Sequence, residues 1–375
     1  LFCVKSLFPA YSEKKGCDRM QARDCSFYLG GLSCGGYRGY FQEFADEFSV
    51  PVLIEGGFSS GAGKILEAVR QQLAQSGQCV ETICCSAHAG KLDALGCKGI
   101  CFVNATSPHA PKAVLPTAVE QVLSLYNAYD QNILVSKREE LSAWTESGDR
   151  AFRRASRYLT AAAALIRENE QAVLTCTDLS KAEQLGRALA KRYLRQSGAN
   201  GRVHVRLLSA VTSGRICFLP DAISSVETLV VLEDEYGAAA DRILHILQQH
   251  AAEHGLEIIA CPCPVRPKHL EHLIFPQLST AFVTANRYHS EYPGNPRRIH
   301  CTRFSEKTGL RARRARLRFN RKMAEELMAQ VFGALTEAGE AQKAVDAVYS
   351  AAEIPEKMEK VCIRAKELAS SGAGL

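Results

Sequence analysis

The sequence predicts an α/β fold built from two similar modules, each a parallel β-sheet followed by a long helical arm. Three observations predict it: an internal repeat, apolar runs that alternate with segments of helical spacing, and a glycine-rich turn between the first run and the first helix. The chain has 375 residues, which is more than one compact core usually serves, so two domains are expected.

The internal repeat consists of matching blocks that occur in the same order. The segment "VLIEGGFSSGAGKIL", residues 52–66, aligns without a gap with "VVLEDEYGAAADRIL", residues 230–244. Further on, "FVNATSPH", residues 102–109, matches "FVTANRYH", residues 282–289. The offset is 178 residues for the first block (230 − 52) and 180 for the last (282 − 102), so a two-residue insertion separates them. Ordered matches of this kind favour an internal duplication.

Each repeat is predicted to contain a strand, a turn, a helix, a strand, a loop and a strand. In the first repeat the apolar runs are 52–55, 79–85 and 100–104, and residues 64–76 have helical spacing. Strands that alternate with helices predict a parallel sheet. Each core is followed by a helical region, which starts near residue 137 in the first copy and near residue 310 in the second.

Domain boundaries follow from the repeat and from one linker-like segment. The stretch "RQSGANGR", residues 195–202, is polar and contains glycine, as linkers do. We predict that module 1 covers residues 20–197 and that module 2 covers residues 198–375. Residues 1–19 precede the first methionine and are expected to be an N-terminal extension, which could be non-native.

The glycine-rich turn resembles a phosphate-binding loop. "EGGFSSGAGKI", residues 55–65, lies between a predicted strand and a predicted helix, as the Walker A pattern G-x-x-x-x-G-K-[ST] requires. In such loops backbone N–H groups and the helix N-terminus bind phosphates, and the lysine reaches the terminal phosphates. The predicted nucleotide-binding residues are Gly57, Ser60, Gly61, Ala62, Gly63, Lys64, Ile65 and Asn104.

The motif departs from the pattern at the positions that serve Mg²⁺. Five residues separate Gly57 from Gly63 instead of four, and Ile65 stands where Mg²⁺ needs a hydroxyl. Asn104 ends the strand where an acidic residue would orient the ion. ATP is the expected nucleotide, and Mg²⁺ has lost both of its usual protein contacts.

The second copy is expected to be structural. Asp234, Glu235 and Asp241 replace glycines of the first turn, and carboxylates at these positions would repel phosphate. Arg242 replaces Lys64. We therefore expect no nucleotide in module 2.

The motif order resembles an uncharacterised family of bacterial tandem P-loop ATPases. Its members carry "GGPGTGKS", "HCSSD…SLDGV" and "IVDGTAPH", and typically two modules per chain. The resemblance extends over residues 20–375 and implies a P-loop fold, with phosphate contacts at the residues that match the first motif. The matching positions are Gly63 and Lys64, then Cys85, Ser86, Leu92 and Asp93, then Thr106, Pro108 and His109. Ile65 and Asn104 depart from the family pattern.

Histidine and carboxylate residues recur at equivalent positions of the two copies. His109 and His289 follow equivalent strands, and Glu271 keeps the charge of Asp93. A histidine that persists in the degenerate copy favours packing or capping over catalysis, and a surface role is the simplest one for the carboxylates.

Charge and composition point to a cytoplasmic protein with one basic surface. Arg311, Arg314, Arg318 and Arg321 lie on one predicted helical face, which is either a solvated stripe or a contact for nucleic acid or an acidic protein. No apolar run approaches the roughly 20 residues of a bilayer span, and no secretory signal is visible. The 15 cysteines are therefore expected to be reduced thiols that pack as small apolar groups.

Three functions fit these observations. The first is nucleotide binding by module 1 with weak or absent hydrolysis. The second is a scaffold without nucleotide chemistry, whose basic helical arms bind a protein or nucleic acid. The third is an active ATPase with a non-standard Mg²⁺ site.

Overall fold

Two six-stranded sheets with the same strand order form the core of the protein. The computed structural model describes residues 24–372 except 58, 110, 196, 197, 199 and 200, so the predicted extension 1–19 lies outside the described residues. In chain order the strands are β1 (Cys25–Phe27), β2 (Gly30–Ser33), β3 (Gly36–Gly39), β4 (Val50–Glu55), β5 (Glu81–Cys84), β6 (Leu92–Cys97), β7 (Ile100–Asn104), β8 (Gln121–Ser124), β9 (Val203–Val205), β10 (Ser209–Val211), β11 (Ile216–Phe218), β12 (Thr228–Glu233), β13 (Ile258–Pro262), β14 (Leu270–Phe275), β15 (Thr280–Ala285) and β16 (Arg297–His300). The first sheet has the order β1-β5-β6-β7-β4-β8, and the second has the order β9-β13-β14-β15-β12-β16.

Helices cover the sheets and connect the two halves of the chain. In chain order they are α1 (Phe41–Ala45), α2 (Ser59–Gln75), α3 (Gln131–Ser136), α4 (Arg138–Leu174), α5 (Leu179–Tyr193), α6 (Asp221–Ser224), α7 (Ala240–Glu253), α8 (Lys307–Ala351) and α9 (Pro355–Gly372). The predicted α/β class and the long helices are confirmed. The arms α4 and α8 have 37 and 45 residues.

Each sheet contains one antiparallel strand that the sequence analysis missed. β6 and β14 run antiparallel to both of their neighbours, although the remaining pairs are parallel. A two-residue turn at 98–99, in which Lys98 has a φ of 47°, joins β6 directly to β7. The predicted loop before residue 100 is therefore half of a hairpin, because so short a turn leaves room only for antiparallel pairing.

Alternate residues of the central strands belong to two different cores. In β4, Val52 and Ile54 pack with α2, whereas Leu53 packs in a core that also contains Val231 and Val283 of the second sheet. Successive side chains of a strand point to opposite faces of a sheet, so each sheet has a helix-covered face and a face directed at the other half of the molecule. The two sheets consequently share one apolar core.

The two halves exchange their C-terminal helices. α4 and α8 pack along each other, α5 packs against α7 of the second half, and α9 packs against α2 of the first. Backbone hydrogen bonds fix both crossings: residues 128–130 pair with 352–354, and residues 304–306 pair with 176–178. The sheet of each predicted module is therefore covered in part by the C-terminal helix of the other module, which is α9 for module 1 and α5 for module 2.

A buried charge network joins the two halves at the shared core. Arg206, which is completely buried, donates hydrogen bonds to both oxygens of Glu47 at 3.0 and 2.7 Å and also to Glu81. Its guanidinium lies 4.7 Å from the centre of the Phe44 ring. His204 lies between two carboxylates, with Nδ1 2.8 Å from Glu47 and Nε2 3.0 Å from Glu257.

The network shifts the pKa values of its members in opposite directions. Burial works against ionisation of Glu47, but Arg206 and His204 outweigh it and lower its pKa to about 2. Burial also works against the charge of His204, but its contacts with Glu257 and Glu47 prevail and raise its pKa to about 9. Both groups are therefore charged at neutral pH, as a paired network requires.

Replacing Arg206 with methionine should lower the free energy of unfolding by about 3–5 kcal/mol, because the buried carboxylate of Glu81 then loses its partner and the partly buried Glu47 keeps only His204. Urea denaturation measures this change. Arg202→Met, a matched change at an exposed arginine of the same segment, should shift stability by less than about 0.5 kcal/mol. Equal effects of the two variants would show that the buried network does not hold the halves together.

The raised pKa of His204 predicts a loss of stability at alkaline pH. Its contribution is complete below the unfolded pKa of about 6.5 and disappears as pH rises through about 9. The shift from 6.5 to about 9 corresponds to roughly 3–4 kcal/mol. Urea denaturation between pH 6 and 10 should show this loss, and His204→Gln should remove the part of the slope that His204 causes. An unchanged slope in the variant would contradict the assignment.

Candidate functional site

The glycine-rich turn of module 1 is shorter in the structure than in the sequence pattern. β4 ends at Glu55 and α2 begins at Ser59, whereas the sequence indicated helical spacing only from Lys64. Apolar positions with helical spacing start at Ala62 and continue through Ile65, and both of these side chains are completely buried. Packing of this face therefore extends the helix backwards through most of the predicted loop.

Two of the predicted phosphate-loop glycines lie against an aromatic side chain. A Cβ atom at Gly61 would clash with the Tyr129 hydroxyl, and one at Gly57 would lie 3.1 Å from that hydroxyl and 2.6 Å from Leu125 Cδ1. A Cβ atom at Gly63 would meet no atom within 4 Å. Tyr129 and Leu125 thus occupy the space beside the turn, and only Gly57 and Gly61 need to be glycine for that packing.

Lys64 binds a carboxylate from the C-terminal part of the chain. Its Nζ lies 2.6 Å from Oε2 of Glu353, which forms a backbone bridge with Tyr129 just before α9. The lysine side chain is 50% exposed and that of Glu353 is 15% exposed, so the ion pair lies at the edge of the packed turn. The predicted phosphate lysine therefore already has an anionic partner.

The two positions linked to Mg²⁺ have other roles. Ile65 is part of the core between α2 and β4, together with Val52 and Ile54. Asn104 is buried at the end of β7, and its Oδ1 accepts hydrogen bonds from the backbone N–H and the hydroxyl of Thr106 at 3.1 and 2.6 Å. Neither residue offers a free oxygen to a metal ion.

The equivalent turn of module 2 surrounds a carboxylate of its own. Helix α7 begins only at Ala240, so the turn 234–239 stays open, and Asp234 accepts backbone hydrogen bonds at its centre. Oδ1 accepts from Tyr236 and Gly237, and Oδ2 accepts from Ala239 and Ala240 at 2.8 and 2.9 Å. Four N–H groups around one carboxylate are an anion-binding arrangement, which this turn fills internally.

A β-bulge in each sheet directs a carboxylate toward a histidine. Ile83 pairs with Ala94 and Cys84 with Leu92, which leaves Asp93 as an extra residue, and Glu271 is the extra residue in β14. Bulges change the direction of the side chain they carry and are common beside functional sites. The side chain of Asp93 lies 3.3 Å from His109 Nε2, in contrast to the surface role expected for it.

In module 2 the same carboxylate is the centre of a larger polar cluster. Glu271 Oε1 lies 3.2 Å from Nε2 of His289, and Glu271 Oε2 lies 3.7 Å from Nε2 of His272. Asn286 Nδ2 lies 3.4 Å from Glu271 Oε1 and 3.3 Å from His289 Nε2. Burial alone would raise the pKa of Glu271, but the neighbouring histidines hold it well below its ordinary value.

A cavity of about 80 Å³ lies beside this cluster at the carboxyl ends of β12 and β15. This volume admits several water molecules or a small polar group. Ligands of open α/β sheets usually bind at this edge. The polar lining includes Asp234, Cys263, Arg266, Glu271, Asn286 and His289.

The cysteines near the two clusters are protonated thiols. Burial raises the pKa of Cys263 to about 12 and raises that of Cys85 further above its ordinary value. Because the thiolate is the nucleophilic form, neither residue is poised for covalent catalysis at neutral pH.

The basic stripe predicted on the second arm lies on α8. Arg311, Arg314, Arg318 and Arg321 are all exposed, and so is Phe319. Exposure suits both a solvated face and a polyanion contact, so binding of nucleic acid or an acidic protein stays a prediction. Within the described part of the chain, none of the helices combines the length and apolarity of a bilayer-spanning segment.

Comparisons with models of known families, with curated proteins and with solved structures found no match for this chain. The resemblance to tandem P-loop ATPases therefore rests on the sequence motifs and stays a prediction.

The cavity of module 2 was not predicted from the sequence. Its signal was the recurrence of a carboxylate and a histidine at equivalent positions, which were assigned to packing and to the surface. His272 and Asn286 had no signal of their own, because Ala94 and Thr106 occupy the equivalent positions of the first copy.

Two glycine substitutions distinguish packing from phosphate binding. Gly61→Ala should destabilise the protein by about 1–3 kcal/mol, because the new methyl group meets the Tyr129 hydroxyl. Gly63→Ala, the matched control in the same helix, should stabilise it by about 0.5–1 kcal/mol through helix propensity. Urea denaturation measures both, and Tyr129→Ala should remove the difference. If Gly61→Ala is as harmless as Gly63→Ala, Tyr129 does not pack on this turn.

Proposed function

We propose that module 1 binds the phosphates of a nucleotide such as ATP beside the N-terminal half of α2, and that hydrolysis is slow or absent. The topology supports this location. β4 and β7 are neighbours, with Ile54 opposite Asn104, and their connections leave in opposite directions, to β5 and to β8. Open α/β sheets bind ligands at such switch points.

The observation that carries the proposal is the anion already held by Lys64. The amine of Lys64 lies 2.6 Å from the carboxylate of Glu353 at the carboxyl edge of the sheet. A phosphate group carries the same sign of charge and more acceptor oxygens, so it is a suitable replacement for that carboxylate. The partial positive charge at the start of α2 favours an anion in the same region.

The residues at the two Mg²⁺ positions do not fit a catalytic metal. Ile65 is an apolar core residue, and the Asn104 oxygen already accepts two hydrogen bonds from Thr106. Any Mg²⁺ that enters with the nucleotide would be held by phosphates and water. Without protein ligands for the ion, the transferred phosphoryl group lacks most of the electrostatic stabilisation on which hydrolysis depends.

Nucleotide binding has a built-in competitor. Glu353 lies between α8 and α9 and bridges to Tyr129, which packs on Gly57 and Gly61. A phosphate that binds Lys64 must displace this carboxylate and move the Tyr129 side chain. We therefore propose weak binding that is coupled to movement of the segment before α9 away from α2.

Glu353→Gln should strengthen nucleotide binding about five-fold, because an ion pair at the surface contributes about 1 kcal/mol. Titration with a fluorescent ATP analogue, with and without Mg²⁺, measures the affinity. Lys64→Ala should abolish binding in either background. Glu356→Gln removes the same charge from an exposed position of α9 and should leave the affinity unchanged.

The other two functions predict different outcomes of the same titration. No binding by the wild type or by Glu353→Gln would support the scaffold and refute nucleotide binding. ATP turnover at an ordinary P-loop rate that disappears in Lys64→Ala would show an active ATPase and refute the proposed loss of hydrolysis.

A further inference from the structure

The cluster beside the module 2 cavity contains polar atoms without hydrogen-bond partners. Glu271 Oε2 and His272 Nε2 are both buried, and neither has a hydrogen-bond partner among the described residues. The two side chains are 7% and 1% exposed. Buried polar atoms of native proteins are nearly always satisfied, yet these two atoms face each other at 3.7 Å, which is too far for a good hydrogen bond between them.

The hydrogen bonds of His289 direct a lone pair at the same point. The Tyr292 hydroxyl donates to the carbonyl oxygen of Thr284, so it accepts from the His289 Nδ1–H at 3.0 Å. Neutral His289 therefore carries its proton on Nδ1 and presents the lone pair of Nε2 to Glu271 Oε1, 3.2 Å away. The Asn286 amide offers one N–H to this pair, at 3.3 Å from the imidazole nitrogen. A lone pair facing a carboxylate calls for a cation between them, either a proton or a metal ion.

The spacing of the donor atoms fits a metal ion. Glu271 Oε1 lies 3.2 Å from His289 Nε2, and the other oxygen, Oε2, lies 3.7 Å from His272 Nε2. Both distances are close to the separation of about 3.4 Å between ligands of tetrahedral zinc with bonds of about 2.1 Å. The three residues offer ligand atoms that all lie within 4.8 Å of one another. Two imidazoles and one carboxylate are a donor set typical of zinc and of other divalent transition metals.

We propose that Glu271, His272 and His289 bind one divalent transition metal ion of the zinc type, with a coordination position open toward the cavity. The bulge at Glu271 makes this set possible, because it brings Glu271 and its sequence neighbour His272 to the same side of the strand. Glu271 and His289 line the cavity, so a water molecule or a ligand atom can complete the coordination from that side. Three protein ligands and one open position are typical of catalytic zinc sites.

Two neighbouring contacts oppose the metal and are too weak to prevent binding. The Asn286 amide N–H, 3.4 Å from Glu271 Oε1 and 3.3 Å from His289 Nε2, would have to turn away from these ligand atoms. His272 Nδ1 accepts a hydrogen bond from the Thr284 N–H at 3.3 Å, and coordination through Nε2 would move a proton to Nδ1. This proton would leave the buried Thr284 N–H facing another donor, which lowers the affinity by roughly five- to 150-fold. Zinc sites of small domains favour the bound state by roughly seven or more orders of magnitude. The nearby charge of Arg266 is balanced by its ion pair with Glu170.

Module 1 offers a matched comparison within the same chain. Asp93 and His109 repeat the pair of Glu271 and His289, but Ala94 stands where module 2 has His272. Tyr37 and Phe41 also pack on the His109 ring, at centroid distances of 6.2 and 4.4 Å. The first module therefore has two of the three ligands, and the proposal assigns the metal to module 2 alone.

The test is a titration of the full chain with Co²⁺ and Zn²⁺ after treatment with EDTA. We expect one equivalent per chain, with the visible absorption of four- or five-coordinate Co²⁺ and without the near-ultraviolet band of thiolate ligation. His272→Ala should weaken binding at least 100-fold. Tyr292→Phe, which leaves the ligands in place but removes the acceptor of the His289 Nδ1–H, should weaken it about 10- to 100-fold.

Controls separate this site from adventitious binding. Asp93→Asn in module 1 should leave the Co²⁺ spectrum and affinity unchanged. His254→Gln should also change nothing, although His250 and His254 stack on each other at the C-terminal end of α7 and could hold a metal at the surface. The proposal is overturned if His254→Gln removes the signal, if a thiolate band appears, or if folded His272→Ala binds Co²⁺ like the wild type. Because the readout is metal binding, failure here leaves nucleotide binding by module 1 unaffected.

Discussion

The arrangement of the two halves depends on one completely buried cation. Arg206 comes from the second half of the chain, and its carboxylate partners Glu47 and Glu81 come from the first. A guanidinium removed from water is tolerated only where carboxylates surround it, so the halves can pack only in the position that aligns these three residues. The apolar side chains that the two sheets share fit many positions, because apolar contacts have no direction. We infer that the charge network favours one of them, in which α5 packs against α7 and α9 packs against α2.

In both modules an internal carboxylate lies beside the turn or helix that follows the equivalent strand β4 or β12. In module 2 the carboxylate is Asp234, which fills a turn of four backbone N–H groups. In module 1 it is Glu353, which reaches Lys64 from the opposite end of the chain. The two carboxylates differ in how firmly the protein holds them. Asp234 belongs to the turn it fills, whereas Glu353 is held at the edge by one ion pair and one backbone bridge, so an external anion can compete with it only in the first module.

The two copies differ in what surrounds the equivalent carboxylate and histidine. Both retain the bulge that directs a carboxylate at a histidine, yet aromatic rings cover that histidine in module 1 and a cavity lies beside it in module 2. Module 1 has the exposed lysine, Lys64, and module 2 has the polar cavity beside Glu271 and His289. A duplication allows this division, because each copy preserves the fold of the sheet while only one of them has to preserve each feature.

The sequence by itself determined the α/β class, the repeat of strands and helices and the long arms, because these depend on local periodicity and on ordered matches between the copies. Tertiary structure alone decided which C-terminal helix covers which sheet. The two similar cores offer similar surfaces, so only the direction of α4 and α8 determines that α5 packs on the second half and α9 on the first. Tertiary structure also decided that residues 59–63 are helical, because the buried face of Ala62 and Ile65 outweighs the glycines around them. The cluster of Glu271, His272 and His289 was equally hidden, because a bulge reverses the face that alternation assigns to a strand residue.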